Sequence, residues 1–138
     1  DYGFEDDPDH AHDNRWMHRP KMDWPLVRAL TKASTPQSWI FEGVKHIIAR
    51  RKAIPAFSAK HPTRILHLGH NRIFAFARVG DAETIVCLFN FTEVPQSISE
   101  DQLRGAGVMA FHDRLSDAPA SQSGGQVHLP AYGRLWLV

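Results

Sequence analysis

The sequence lacks the features that would place it in several large classes of protein. Its 138 residues include one cysteine, Cys87, which excludes an internal disulfide, and the apolar neighbours of that residue predict a buried thiol. No apolar run approaches the roughly 20 residues that span a bilayer. A net charge of only +1 gives no indication of a nucleic acid or membrane partner. The 43% of hydrophobic and 22% of charged residues are instead typical of a folded globular chain.

Motifs that carry chemistry are also scarce. There is no glycine-rich phosphate loop, no paired-cysteine metal motif and no nucleophile elbow. Glycoside chemistry needs two carboxylates on opposite sides of a sugar bond, whereas the acids of residues 5–13 are crowded on one polar stretch. Acids crowded in this way usually form a solvated rim, so we predict no catalytic residue in this chain.

The same N-terminal stretch holds candidate metal ligands. They are carboxylates and imidazoles, namely Asp7, Asp9, His10, His12 and Asp13. Ligand types without a scaffold that fixes their geometry are weak support for a metal site. We therefore predict no metal and no cofactor, and the stretch stays without an interpretation.

Two helices are predicted after a polar loop of about 22 residues. The first covers residues 24–30. The second has Pro36 in its first turn, is capped by Ser34 or Thr35 and ends before Pro55. It repeats apolar residues at helical spacing (Ile40, Val44, Ile47, Ile48), and the basic triplet at 50–52 indicates a solvated helix end.

From residue 63 the pattern changes to short strands. They are predicted at 64–68, 72–79, 83–91, 97–99, 108–111, 127–129 and 135–138, with a hairpin turn at 69–71 and a surface loop at 117–125. Short strands separated by turns predict a small antiparallel β-sandwich, and the whole chain is then of the α+β class. Phe74, Phe76, Phe89 and Phe91 alternate along two of the strands and are predicted to lie in the core.

The segment from Asp13 to Pro20 concentrates arginine and aromatic side chains. Arginine offers hydrogen bonds in a fixed fork, and aromatic faces stack on sugar rings. Composition alone leaves two interpretations open, because Arg15 and Arg19 could bind a ligand or could pin the loop through salt bridges.

This segment carries a resemblance to a known family. Asp13-Asn14-Arg15-Trp16-x-His18-Arg19-Pro20 resembles the stretch after the eighth barrel strand in amylosucrases and related sucrose hydrolases of the α-amylase superfamily, glycoside hydrolase family 13. Residues 37–51 are similar to the last barrel helix of that family. Leu88-Phe89-Asn90-Phe91-Thr92-x-x-x-Pro95-Gln96 is similar to a strand of its C-terminal β domain. Leu129-Pro130-x-Tyr132 with Leu135-Trp136-Leu137 is similar to its closing strand.

The resemblance implies a two-part organisation. Residues 1–56 would be the last active-site loop and terminal helices of a catalytic (β/α)8 barrel, and residues 57–138 a C-terminal all-β sandwich domain. The parent would be a retaining α-glucosyl enzyme that acts on sucrose, by transfer to an α-1,4-glucan or by hydrolysis to glucose and fructose. Its partners would be sucrose, α-glucan and the upstream barrel of the same protein. The first residue is Asp1 and not Met, and we expect the barrel with its two catalytic carboxylates to precede it.

The resemblance also implies site residues. Arg15 matches the family arginine that pairs with an upstream aspartate at the closed base of the glucose pocket. Asp13, Trp16 and Arg19 are further substrate-binding candidates, which we expect to shape the loop more than to touch sugar.

Two other functions stay open. The chain could be a stand-alone carbohydrate-binding or structural β module, which should expose a row of aromatic residues on one sheet face. It could also belong to a transfer enzyme of the same superfamily that acts on a different α-glucoside. Neither the choice between transfer and hydrolysis nor the localisation follows from the sequence.

Overall fold

The structure is a computed structural model of the 138-residue chain, and it describes Asp9 and residues 22–138. The chain divides into two compact units, Asp1–Ile48 and Ala49–Val138. The domain boundary predicted at residues 56 and 57 stays a prediction.

Two helices occupy the first described stretch, as predicted. Helix α1 (Trp24–Lys32) begins at Asp23, whose Oδ1 accepts from the amide of Leu26 at 3.0 Å. Helix α2 (Pro36–Ala53) begins at Thr35, whose Oγ1 accepts from the amide of Ser38 at 3.2 Å. The Ser38 hydroxyl accepts in return from the amide of Thr35 at 3.1 Å. Because side-chain oxygens satisfy amides that have no partner within the helix, both starts are sharply defined.

Most of the large apolar residues of α2 are exposed. Trp39 and Ile40 are each 65% exposed, Phe41, Val44 and Ile48 are also exposed, and Ser38 is the only buried residue of the helix. A helix of a globular protein normally buries its apolar stripe against a core. The described residues therefore leave α2 with a face that still needs a partner.

The second unit is built of short strands. After a 3-10 helix (Pro55–Phe57) come β1 (Thr63–Ile65), β2 (Ile73–Val79), β3 (Thr84–Asn90), β4 (Gln96–Ser99), helix α3 (Glu100–Ala106), β5 (His112–Asp113), β6 (Ala118–Pro119), β7 (Gln122–Ser123), β8 (Gln126–Leu129) and β9 (Arg134–Leu137). A six-stranded sheet has the order β1-β2-β3-β9-β5-β6 and a three-stranded sheet the order β4-β8-β7. All the pairs are antiparallel, as predicted.

One buried cluster joins the two sheets. Val86, Leu88 and Leu137 from the large sheet lie in it together with Ile98 and Val127 from the small one. Helix α3 contributes Leu103 and Ala106. Because the inner faces of both sheets share this core, the second unit is a β-sandwich with a helix at its edge.

Two predicted stretches were wrong. Residues 108–111 form no strand, because Gly107, at φ 111°, ends the unpredicted helix α3 and sends Val108 into the core. The overlooked signal was Ser99, whose hydroxyl accepts from the amide of Asp101 at 3.2 Å as a helix cap. Residues 117–125 are not a plain loop but carry β6 and β7, and Gly124 and Gly125 at positive φ turn the chain into β8.

Candidate interaction face

The predicted substrate-binding residues lie outside the described part of the chain. They are Asp13, Arg15, Trp16 and Arg19, and their assignment stays a prediction. Of the candidate metal ligands only Asp9 is described, and it is exposed. Within residues 22–138 and Asp9, no three His, Cys, Asp or Glu side chains are grouped to hold a metal ion. In the same residues no helix has the length and apolar character needed to cross a bilayer.

Four phenylalanines form a row on the outer face of the six-stranded sheet. The register places Phe74 of β2 opposite Phe89 of β3. Ring centroids lie 5.8 Å apart for Phe74 and Phe76, 5.9 Å for Phe76 and Phe89, and 6.2 Å for Phe89 and Phe91. We call Phe74, Phe76, Phe89 and Phe91 the aromatic row. Cross-strand and next-but-one neighbours meet in this way because side chains of one sheet face stand side by side.

The prediction that these phenylalanines are core residues was wrong. Phe74 is 45% and Phe91 69% exposed, and the other two are half-buried. The alternation of two strand faces was predicted correctly, but the buried face was not. Ala75 and Ala77, at the alternate positions, point into the core. There the alanines share the core with larger side chains from facing elements, so the phenylalanines are left on the outside. The size of the side chains alone therefore does not predict which face of a strand is buried.

The chain itself covers one end of this outer face. Phe57 of the 3-10 helix packs on Trp136 of β9, with ring centroids 4.6 Å apart at 50°. Ile54 and Ala56 are almost fully buried here. Cys87, the register partner of both Phe76 and Trp136, is fully buried, which confirms the predicted core thiol. Burial raises the pKa of that thiol to about 12, against a smaller opposing effect of the Arg78 charge.

A cavity of about 510 Å³ opens next to the covered end. Its wall includes Arg51, Phe76, Phe89 and Trp136. Arg78, also in the wall, is held in place, because its guanidinium donates to the carbonyls of Ala56 and Ser58 and to the Thr63 hydroxyl. Arg78 is thus engaged by hydrogen bonds within the chain.

Two other arginines beside the aromatic row have no partner in the part of the chain that the structure describes. Arg51 stands in the cavity wall, and Arg134 of β9 is paired in register with Phe89. Neither makes a hydrogen bond or ion pair with any of the described residues. Arg134 is exposed, as is Arg51. Both charges are therefore available to carboxylates brought by another surface.

The face is suited to binding and not to catalysis. Its side chains are aromatic rings, guanidinium groups that stay charged, and a thiol whose raised pKa keeps it protonated. None of these is a general acid or base near neutral pH. A contiguous exposed apolar row with cationic neighbours is instead typical of an interaction surface.

A polar cluster, which no sequence motif indicates, lies on the small sheet. Nδ1 of His128 is 2.8 Å from the Ser97 hydroxyl, and Nε2 is 2.7 Å from the Ser123 hydroxyl. Because the three residues belong to β8, β4 and β7, the ring links all three strands. Both ring nitrogens are occupied by these bonds, so the cluster is explained as a cross-strand connection.

The family of the chain follows from residues 63–136, more than half of its length, which match the family model described as maltogenic amylase, C-terminal domain. The chain belongs to this family. The match runs from β1 into β9 and contains the whole aromatic row. It confirms that the chain resembles the C-terminal segment of an α-amylase superfamily enzyme.

Solved structures of MutB are similar to this maltogenic amylase C-terminal domain. An aspartate-to-alanine variant of MutB in complex with glucose matches with a TM-score of 0.50 and 22% identity, over 67% of this chain and 17% of that chain. A glutamate-to-glutamine variant in complex with the substrate sucrose matches with a TM-score of 0.49 and the same identity and coverage. The first match shows a shared fold. The chain spans only 17% of the length of these structures.

Proposed function

We propose that this domain is a C-terminal part of a retaining α-glucosyl enzyme that acts on sucrose, transferring glucose to an α-1,4-glucan or to water. Residues 1–56 would supply the last active-site loop and last helices of a (β/α)8 barrel. Residues 57–138 would support that barrel. The family match supports a C-terminal position in an α-amylase superfamily enzyme. The choice of sucrose comes from the resemblance of residues 13–20.

The observation that carries this proposal is the uncovered apolar side of α2. Ile40, Phe41, Val44 and Ile48 fall on one side of the helix, and all are at least 45% exposed. Burying one such side chain contributes about 1.5–3 kcal/mol, so a helix that leaves four of them in water forgoes most of its packing energy. The helices of a (β/α)8 barrel pack one side on the strands, which would cover this stripe.

Arg15 has a defined role in the proposal. It would pair with an upstream aspartate at the closed base of the glucose pocket, so that only one glucosyl unit enters. An Arg15→Ala substitution would leave that carboxylate buried without a partner, at a cost of about 2–5 kcal/mol in transition-state stabilisation.

The test is sucrose turnover by the longer protein, measured as fructose release. We expect turnover by the longer protein and a fall in kcat/KM of roughly 30-fold or more for Arg15→Ala. Arg28→Ala is the matched control, because Arg28 is exposed on α1 and its side chain has no partner among the described residues. The 138-residue chain alone should release no fructose. Fructose release by that chain, or full activity of the Arg15→Ala variant, would contradict the proposal.

A stand-alone carbohydrate-binding module is the second candidate, because Phe74 and Phe91 are exposed on one sheet face. The family match over residues 63–136 favours a C-terminal domain of a longer enzyme instead. We therefore expect no binding when the 138-residue chain is titrated with an α-1,4-glucan and followed by calorimetry. Micromolar binding would favour the module.

A further inference from the structure

We infer that the edge of the six-stranded sheet at β1 is a docking site for an extended segment of a separate protein, in which acidic and apolar side chains alternate. The segment lies antiparallel to β1 as an added strand, in the groove between β1 and α3. This inference goes beyond the proposed function and does not depend on it, since neither sucrose nor the barrel takes part in it.

The first support is the direction of the backbone groups in β1. The amide of Leu66 donates to the carbonyl of Ala75, its neighbour on β2, at 3.0 Å. Hydrogen-bonded pairs alternate along an antiparallel ladder, so the amides and carbonyls of Thr63 and Ile65 point away from β2. On that side β1 has no neighbouring strand among the described residues. These backbone groups are therefore open to an added strand.

Helix α3 turns this edge into a groove of about 330 Å³. The wall opposite β1 is the side of α3 that carries Gln102, Gly105 and Ala106. The side-chain amide of Gln102 donates to the carbonyl of Leu68 at 3.0 Å, which holds the segment after β1 against the helix. A Cβ added at Gly105 would meet no atom within 4 Å, so this wall leaves room for the side chains of an added strand.

The opposite edge of the same sheet is protected against pairing, whereas β1 is not. Strand β6 has only two residues, and one of them is Pro119, which has no amide hydrogen to donate. Proline on an edge strand is one of the ways in which proteins prevent unwanted pairing. Strand β1 contains no proline and keeps its outward amides.

Charge defines the partner. Residues 58–80 contain no acid and four basic residues, namely Lys60, Arg64, Arg72 and Arg78. Arg64 lines the groove, where its Nη2 donates to the carbonyl of Ala106 at 3.2 Å. Its other N–H groups have no partner among the described residues and are available to a carboxylate. The acids of α3, Glu100 and Asp101, lie in its first turn and outside the groove wall.

The two faces of β1 select different side chains in the partner. Residues that are opposite each other on neighbouring strands lie on the same face of the sheet. A residue opposite Arg64 therefore lies beside a guanidinium, and a residue opposite Ile65 lies beside an apolar side chain that is 52% exposed. Acidic and apolar residues in alternation satisfy both positions. A second copy of this chain is disfavoured, because a two-fold contact between two β1 edges would bring the basic residues of both copies together.

A synthetic peptide tests the inference. The probe is a fluorescent peptide of about ten residues in which glutamate and valine alternate, and its binding to the 138-residue chain is followed by fluorescence anisotropy at neutral pH. A peptide with lysine in place of glutamate is the matched control for charge. Ile65→Pro removes an outward amide hydrogen that the ladder to β2 does not use, and Ile65→Val is the matched control that keeps it.

We expect saturable binding of the acidic probe and at least about tenfold weaker binding of the lysine peptide. Ile65→Pro should weaken binding of the acidic probe at least about tenfold, and Ile65→Val by less than about twofold. Circular dichroism should be the same for both variants and the native chain.

A change in the probe gives the same test without changing the fold of the chain. In an antiparallel added strand, the amides that face β1 belong to the residues opposite Thr63 and Ile65, which are the valines of the probe. N-methylation of the valines should therefore weaken binding at least about tenfold, whereas N-methylation of the glutamates should have a smaller effect.

Several results would overturn the inference. They are equal binding of the acidic and lysine peptides, equal binding of the two methylated probes, and no binding at up to about 1 mM acidic probe. Self-association of the native chain that Ile65→Pro abolishes, measured by sedimentation, would assign the edge to a second copy. Binding by the 138-residue chain but not by the longer protein would assign the edge to another segment of that protein.

Discussion

The side-chain amide of Asn90 donates to the carbonyl of Pro130 at 2.8 Å and joins two segments that are 40 residues apart in sequence. The same NH2 group donates to the carbonyl of Val94 at 2.9 Å. Its Oδ1 accepts from the amide and the hydroxyl of Thr92 at 3.0 and 2.7 Å. Asn90 is 2% exposed, so a single buried amide organises the turn after β3 and the entry to β9.

The Asn90→Asp substitution should therefore be strongly destabilising. A carboxylate has the same shape but cannot donate, so it would set negative charge against the carbonyl oxygens of Val94 and Pro130. Leaving buried acceptors without donors, and burying a charge, should lower the free energy of unfolding by about 2–5 kcal/mol. Urea denaturation followed by circular dichroism measures the change.

Asn71→Asp is the control for this substitution. Asn71 is exposed in the turn before β2, and the same chemical change there should shift the free energy of unfolding by less than about 0.5 kcal/mol. Equal effects at both positions would show that the bonds of Asn90 do not have the role assigned to them.

The contact between Phe57 and Trp136 leads to a second prediction. Phe57 is 9% exposed and covers Trp136, which is itself 6% exposed. Phe57→Ala removes most of a buried ring and should lower the free energy of unfolding by about 3–5 kcal/mol. Phe91→Ala removes the same ring from a 69% exposed position and should cost no more than about 0.5 kcal/mol in the 138-residue chain. Similar losses for both would contradict the division of the outer face into a covered and an open half.

The helices and most strands were predictable because local rules decide them. Thr35 with Pro36 marked the start of α2, and the strands that became β2 and β3 followed a period of two. Helix α3 was missed because seven residues give too little periodicity, although Ser99 and Gly107 delimit it. Short elements of this kind are set by caps and by packing rather than by pattern.

What the sequence could not show was the face that each strand buries. A period of two is the same whether Phe76 or Ala77 points inward, and only the facing elements decide between them. The link from Asn90 to Pro130 is hidden for the same reason, since it depends on β3 and β9 being neighbours. Both segments are part of the resemblance to the α-amylase superfamily, but their sequences do not show that the two lie side by side.

A third prediction concerns Cys87. Because the thiol is fully buried and its pKa is raised to about 12, it should not react with a thiol reagent at about pH 8 in the native chain. Reaction should become complete once urea unfolds the chain, with a midpoint that matches the loss of circular dichroism. Fast labelling of the native chain would show that the sheet opens locally at β3, well below global unfolding.

The fourth prediction is a pH dependence that comes from Asp117. Its carboxylate lies 3.0 Å from Nε2 of His112 and 3.5 Å from Nη2 of Arg50, and the hydrogen bond from His112, then the charge of Arg50, hold its pKa below the usual 3.8. A pKa that is lowered in the folded state adds stability above the unfolded value and loses it as the pH falls through the folded one. The difference in unfolding free energy between the native chain and Asp117→Asn should thus be largest near neutral pH and shrink as the pH falls below 3.8.

Asparagine at position 117 should keep the backbone conformation, since it tolerates the positive φ of 60° at this position. Asp81→Asn is the control, because that carboxylate is 97% exposed, and an identical pH profile for both variants would assign the effect to general surface charge.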